Sequence, residues 1–177
     1  MARILILGGY GQTGRLLARH LLQQTTAEII LAGRHLQKAR TYADQLNREF
    51  EGERVSGVQI DASSAQSLRE ALRAVDLILV AAPTARHVER VVHAALDSET
   101  DYLDIQLDAR KLAVLQSLAP EIGRAGRCFI TEAGFHPGLP SVMVRYAATQ
   151  FDRLETATTA GYLNIGRGPR YSEAVDE

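Results

Sequence analysis

Gly8, Gly9, Gly11 and Gly14 crowd the start of this chain, and Arg34, Asp61, His87, Asp104 and His136 follow at wide intervals. Glycines at that spacing let main-chain amides close on a phosphate, where any side chain would collide with it. The full stretch is Gly8-Gly9-Tyr10-Gly11-Gln12-Thr13-Gly14, preceded by the apolar run Ile4-Leu5-Ile6-Leu7 and followed by an amphipathic segment. A buried strand that leads into a tight turn and then a helix presents free N–H groups and a positive dipole end to a pyrophosphate. Gly9 is expected to make the turn, Gly11 to admit the phosphates, and Gly14 to let the helix pack closely on the strand. An overlapping Gly8-x-x-Gly11-x-x-Gly14 reading leaves open which glycine does which task. A glycine-rich turn that binds nothing is the bland alternative, and the repeating pattern that follows weighs against it.

The residues after the second apolar segment bear on which dinucleotide fits. A site for NAD usually places a carboxylate there, to accept hydrogen bonds from the adenosine ribose hydroxyls. Here Ile29-Ile30-Leu31-Ala32 runs into Gly33-Arg34 with no carboxylate. A guanidinium pairs with a 2′-phosphate through two parallel hydrogen bonds and stacks on adenine. His35 and Lys38 add positive potential nearby. NADP(H) is therefore expected over NAD(H), the alternative being an ordinary surface arginine. Asp61 is placed to face the adenine edge or to cap the next helix. Ala81 and Ala82 leave room for the ribose beside them, and Pro83 ends the strand.

Hydride transfer belongs to the cofactor, and the protein orients the nicotinamide and handles one proton. Histidine is the natural donor near neutral pH. His136 is the best placed, in a loop at the carboxyl end of a strand. His87 and Asp104 are expected on the same rim. Each has a plainer alternative: a helix face for His87, a turn cap for Asp104, and an orienting backbone hydrogen bond for His136. Cys128, the single cysteine, is expected in a strand as core rather than nucleophile. No metal site is expected, since paired-cysteine and His-Glu-x-x-His spacings are absent from the sequence.

The elements that must position these residues alternate. Strands are predicted over 3–7, 28–32, 55–60, 76–80, 102–105 and 127–131. Helices are predicted over 14–24, 36–50, 64–74, 85–96, 108–124 and 139–150. In the first helix Leu16, Leu17, Leu21 and Leu22 are read as core-facing, and Pro120 as a kink or break in the fifth. This is the pattern of an α/β doubly wound parallel sheet, a Rossmann fold with strand order 3-2-1-4-5-6 and ligands beyond the carboxyl ends of strands 1 and 4. Residues 1–150 form that dinucleotide-binding domain. A threonine-rich strand over 154–164 and a loop over 165–170 read as the start of an incomplete second α/β domain at 151–177, or as a strand added to the sheet edge.

With 177 residues, 46% of them hydrophobic, a sizeable core is expected, and a net charge of -1 gives no electrostatic case for nucleic acid or an anionic membrane. No apolar run reaches the roughly 20 residues of a membrane span. A cytoplasmic protein that binds small molecules is the default reading, and a homodimer is compatible with it.

Several stretches together resemble the NADP-binding domain of the saccharopine dehydrogenase family: Gly8 to Gly14, Leu31-Ala32-Gly33-Arg34, Asp76 through Pro83, Tyr102-Leu103-Asp104, and Ala133-Gly134-Phe135-His136-Pro137-Gly138-Leu139-Pro140-Ser141. Many members carry Gly-x-Asp-Pro-Gly in the last stretch, and His136 stands here where aspartate is frequent. The resemblance implies an oxidoreductase whose nicotinamide lies between the Rossmann domain and a substrate domain. Such enzymes reduce an imine formed between an amino acid and a carbonyl compound, or run that reaction backwards. It also implies that a second domain supplies substrate and dimer contacts, so that this chain alone binds cofactor without turnover. A non-catalytic NADPH sensor or scaffold, and an enoyl-type reductase, are the competing readings. A short-chain dehydrogenase is disfavoured, because neither lysine, Lys38 nor Lys111, lies four residues after a tyrosine.

Overall fold

The computed structural model describes residues 1–161. Its strands are β1 (Arg3–Leu7), β2 (Glu28–Gly33), β3 (Val55–Gln59), β4 (Leu77–Val80), β5 (Asp101–Asp104) and β6 (Phe129–Ile130). They form one sheet of order β3-β2-β1-β4-β5-β6, with every pairing parallel. The expected doubly wound order is the observed one.

The helices are α1 (Gln12–Gln24), α2 (Leu36–Glu49), α3 (Ala65–Leu72), α4 (Val88–Asp97), α5 (Ala109–Arg124) and α6 (Gly138–Ala148). One core layer joins β1, β2 and the start of β3 to α1 and α2 through Ile6, Ile29, Leu31, Ala18, Ala39 and Leu46. The other packs Leu5, Ile78, Val80 and Tyr102 against α3, α4 and α5. Alternate residues of each central strand enter opposite layers, so β1 is apolar and buried on both faces from Ile4 to Leu7.

Four local expectations change. Leu16 is 61% exposed, because the buried stripe of α1 runs through Gly14, Ala18 and Leu22, and a step of ~100° per residue turns Leu16 outward. Pro120 lies inside α5 without ending it; both Pro120 and Gln116, whose carbonyl loses its N–H partner, are exposed to water. The fourth helix opens as a 3₁₀ turn, Ala85–His87, before α4 begins. Cys128 is exposed and precedes β6 rather than lying in a core strand.

No strand forms over 154–161, and the rest of the expected strand and loop lies outside the described residues. Among the described residues no helix is long and apolar enough to cross a membrane.

Candidate functional site

The register places the site. Val58, Ala32, Leu7, Val80 and Asp104 form one row across five strands. Every candidate residue in the connecting turns lies just beyond that row, at the carboxyl edge, on either side of the β1/β4 reversal.

Gly8 leaves β1 with φ of +87°, a left-handed conformation that makes it, rather than Gly9, the turn residue. A Cβ on Gly8 would stand 2.8 Å from the Ala82 Cβ and 3.0 Å from the Ala81 main chain, so the turn closes directly against the end of β4. Gly8 and Gly9 both donate N–H to the Ala32 carbonyl, at 2.8 and 3.2 Å, which binds the turn to β2. A Cβ on Gly9 would meet the Ile6 carbonyl and Leu31 at 2.9 Å. Gly14 packs the first turn of α1 onto Gly8 and Gly9, leaving no space for a methyl group.

Gly11 is the exposed N-cap of α1, with no capping side chain and no acidic residue in the first turn. The amide end of a 13-residue helix thus opens beside the glycine turn, and its N-cap residue contributes no side-chain hydrogen bond. That arrangement fits a pyrophosphate. Gln12 and Thr13 form the exposed first turn.

Tyr10 connects this turn to β2. Its ring fills the space a Cβ on Gly33 would take, at 2.6 Å, and its hydroxyl accepts the His35 N–H at 3.0 Å. Arg34 and His35 are exposed, and Arg34 enters no salt bridge among the described residues. Gln59 donates its side-chain amide to the Arg34 carbonyl at 3.2 Å, tying the β2 and β3 ends together.

Asp61 accepts from the Ser63 hydroxyl at 2.7 Å and the Ser63 N–H at 2.9 Å. These bonds hold its carboxyl below the usual carboxylate range, and His87 and Arg34 lower it further through their positive charge. Arg34, Asp61 and His87, from three connections, therefore share one electrostatic neighbourhood. Asp61 does not cap α3; Ser64 does, accepting from the Ser67 N–H.

Ala81 and Ala82 are half-buried at the end of β4, and Pro83 is exposed. His87 is half-buried, with Nδ1 at 3.5 Å from Arg90 Nη1. His136 is exposed in the connection between β6 and α6. A Cβ on Gly138 would strike the Glu132 carbonyl at 2.7 Å, so this connection folds back tightly on itself.

Asp104 is not on an open rim. It is fully buried and accepts from Lys111 Nζ, the Tyr102 hydroxyl at 2.8 Å, the Thr131 hydroxyl at 2.8 Å and the Gln106 N–H at 3.0 Å. Lys111 also donates to the Gln106 carbonyl. Burial raises the Tyr102 phenol far above its ordinary value, and the adjoining carboxylate adds to the shift. With those partners, Asp104 clamps β5, the start of α5 and the Thr131–Glu132 segment that leads to His136. Lys111, Tyr102 and Thr131 were not marked by their spacing in the sequence. The available signal was the scarcity of lysine, since Lys111 is one of two in the chain.

A parallel sheet of this order with a glycine-rich turn at its switch point is the architecture of a dinucleotide-binding domain. Residues 4–127 match the family described as "Saccharopine dehydrogenase NADP binding domain". The chain belongs to that family, and NADP is the cofactor of such domains.

The fold resembles apo saccharopine dehydrogenase (L-Glu forming) from Saccharomyces cerevisiae, with a TM-score of 0.69 and 21% identity over 85% of this chain and 31% of that one. It also resembles Citrobacter sp. triphenylmethane reductase complexed with NADP(H), with a TM-score of 0.56 and 24% identity over 72% of this chain and 48% of that one. At these identities the likeness is one of fold. In sequence, 134 residues are 28% identical to glutamyl-tRNA reductase of Chlorobium limicola, covering 75% of this chain and 28% of that protein. The chain spans less than a third of the yeast and Chlorobium proteins and about half of the Citrobacter reductase.

Proposed function

We propose that this chain is the cofactor-binding part of an NADP(H)-dependent oxidoreductase that moves a hydride to or from an imine, an amine or a related small substrate. The observation that carries this reading is the Gly8–Gly14 turn, closed sterically against β2 and β4 and open to solvent at the amide end of α1.

When bound, NADP(H) supplies the hydride. The residues of the chain bind it, orient it and handle a proton. Gly8, Gly9, Gly11 and Gly14 shape the pyrophosphate cradle, with Tyr10, Gln12 and Thr13 alongside. Arg34 and His35 face the 2′-phosphate, and Asp61 faces the adenosine. Ala81, Ala82 and Pro83 leave the nicotinamide side uncrowded. His136 is the favoured proton donor, with His87 second. Asp104 serves as a positioning residue for the segment that carries His136.

The test is a titration of the purified chain with NADPH and with NADH, read by the reduced cofactor's own fluorescence, which no tryptophan obscures because the chain has none. Selective NADPH binding that weakens about tenfold in Arg34→Ala supports the reading. Equal binding of both cofactors makes Arg34 an ordinary surface residue. Failure to bind either would sink the reading of the glycine turn. For catalysis, His136→Ala in the full-length protein is expected to lower turnover about 10²-fold or more; unchanged turnover removes His136 from the mechanism.

A further inference from the structure

Two hollows lie outside the glycine turn, and their charges separate them. The larger, about 380 Å³, is lined by Arg69, Arg73, Ala74, Asp97, Ser98 and Glu99. Its arginines sit among its own carboxylates, at the amino ends of β4 and β5, across the sheet from the turn. The smaller, about 190 Å³, lies between α1 and α2 and is lined by Arg15, Gln37, Lys38, Thr41, Tyr42 and Gln45. It has two cations, two hydroxyls and two amide groups, and no carboxylate, which is a donor set for an anion.

Arg15 is held in place rather than left as a mobile surface side chain. Its Nε donates to the Tyr10 carbonyl at 2.9 Å. Its guanidinium carbon stands 4.6 Å over the centre of the Tyr42 ring. The Tyr42 hydroxyl donates to the Arg15 carbonyl at 3.4 Å, and Tyr42 is itself buried. With Nε committed, the Nη1–Nη2 edge remains for a ligand, and that edge pairs with two oxygens of one phosphate. Tyr10 joins this cavity to the Arg34 loop, since its carbonyl holds Arg15 while its hydroxyl accepts from His35. Lys38 lies in the first turn of α2, which begins immediately after that loop.

We propose that Arg15, with Lys38 beside it, is a second reader of the 2′-phosphate of NADP(H), and that Tyr42 is its positioning residue. The inference rests on the reading that Arg34 faces the same phosphate. Specificity for NADP is then built from two connections, the first turn of α1 and the β2–α2 loop, rather than from the loop alone.

The experiment titrates the full chain with NADPH and NADH, and displaces NADPH with adenosine 2′,5′-bisphosphate or with 5′-AMP. Arg15→Gln is expected to weaken NADPH and the 2′,5′-bisphosphate about tenfold and NADH and 5′-AMP less than about twofold. Arg15→Lys keeps the charge and loses the stacked fork, so its loss is expected to be intermediate. Tyr42→Leu is expected to narrow the NADPH-to-NADH preference in the same direction, and Tyr42→Phe, which keeps the ring, to leave it nearly unchanged. Equal weakening of NADPH and NADH in Arg15→Gln would overturn the proposal, because Arg15 would then only support helix packing. No change in either would also overturn it, as would a wild-type chain without preference for NADPH. Arg34→Ala separates the two readings. If it spares the preference while Arg15→Gln abolishes it, the loop reading fails, and specificity from two connections falls with it, leaving Arg15 as the reader. If only Arg34→Ala abolishes it, the loop is the sole reader and the proposal falls.

Discussion

The β1–α1–β2 region and the β5–β6–α6 region are held by different physics. In the first, Gly8, Gly9 and Gly14 leave no room for an added carbon, the strands are apolar beyond their first residues Arg3 and Glu28, and contacts are closed by shape. In the second, a buried Asp104–Lys111 pair organises the chain and little apolar surface is covered. Helix α6 has no buried residue. Among the described residues, every exposed large apolar side chain except Met1 and Leu16 lies from Leu107 onward, including Phe135, Val142, Met143, Tyr146 and Phe151. The glycine turn thus lies in a region closed by steric contact with its neighbours. The region carrying His136 depends on one polar cluster and presents apolar surface of a kind that partners usually cover.

The comparison is broken most forcefully at the pair. Lys111 and Asp104 are 3% and 1% exposed in their side chains. Lys111→Met leaves a buried carboxylate without its cation and is expected to cost about 3–5 kcal/mol in chemical denaturation. A cost below about 1 kcal/mol would show that the edge is held by something else. Replacing both partners with apolar residues is expected to recover much of the loss.

Gly14→Ala comes next. It drives a methyl group into the main chain of the glycine turn and is expected to cost about 1–3 kcal/mol and to abolish detectable NADPH binding. Retained binding would mean that the cradle tolerates the shift.

Thr131→Val removes one hydrogen bond to the buried carboxylate. A loss of about 1–2 kcal/mol is expected, with NADPH affinity unchanged, because the change lies on the second region alone. A parallel loss of affinity would couple the two regions.

Val142→Ser and Tyr146→Ser on α6 are expected to change stability by less than about 0.5 kcal/mol, since both side chains are already exposed. A cost of several kcal/mol would reveal packing on that face.

The smallest effect is electrostatic. The Asp61 carboxyl is held below the ordinary range by Ser63. Its contribution to stability is therefore present above the unfolded aspartate value of about 3.9, and it is lost as pH falls through the lower folded value. Carboxyl NMR titration is expected to show this low value, and Ser63→Ala to raise it toward the ordinary range.

Much of the first region was legible in the sequence, because its signals are local. A glycine cluster between a strand pattern and a helix pattern has few structural uses, and Arg34 follows β2 directly. The division of labour among the glycines was not legible. Whether Gly8 or Gly9 turns the chain depends on where β4 ends and how Ala82 meets the turn. The sequence puts Asp104 at the end of its strand but does not show that it is buried there. Its burial depends on Lys111 from α5 and Thr131 beyond β6, and neither contact leaves a periodic trace. The leucine pattern points Leu16 inward with Leu17, Leu21 and Leu22, while the buried stripe of α1 passes through Gly14, Ala18 and Leu22.

By itself the sequence determined the alternation of strands and helices, the Rossmann pattern from which the sheet order is read, and the presence of a glycine-rich turn after the first strand, all of which follow from local pattern. Only the tertiary structure decided which groups from separate connections meet: Gly8 against Ala82, Arg15 over Tyr42, Arg34 and His87 near Asp61, and Lys111 on Asp104. Those meetings depend on the depth at which each strand ends and on what is desolvated there, and no single stretch of sequence carries that information.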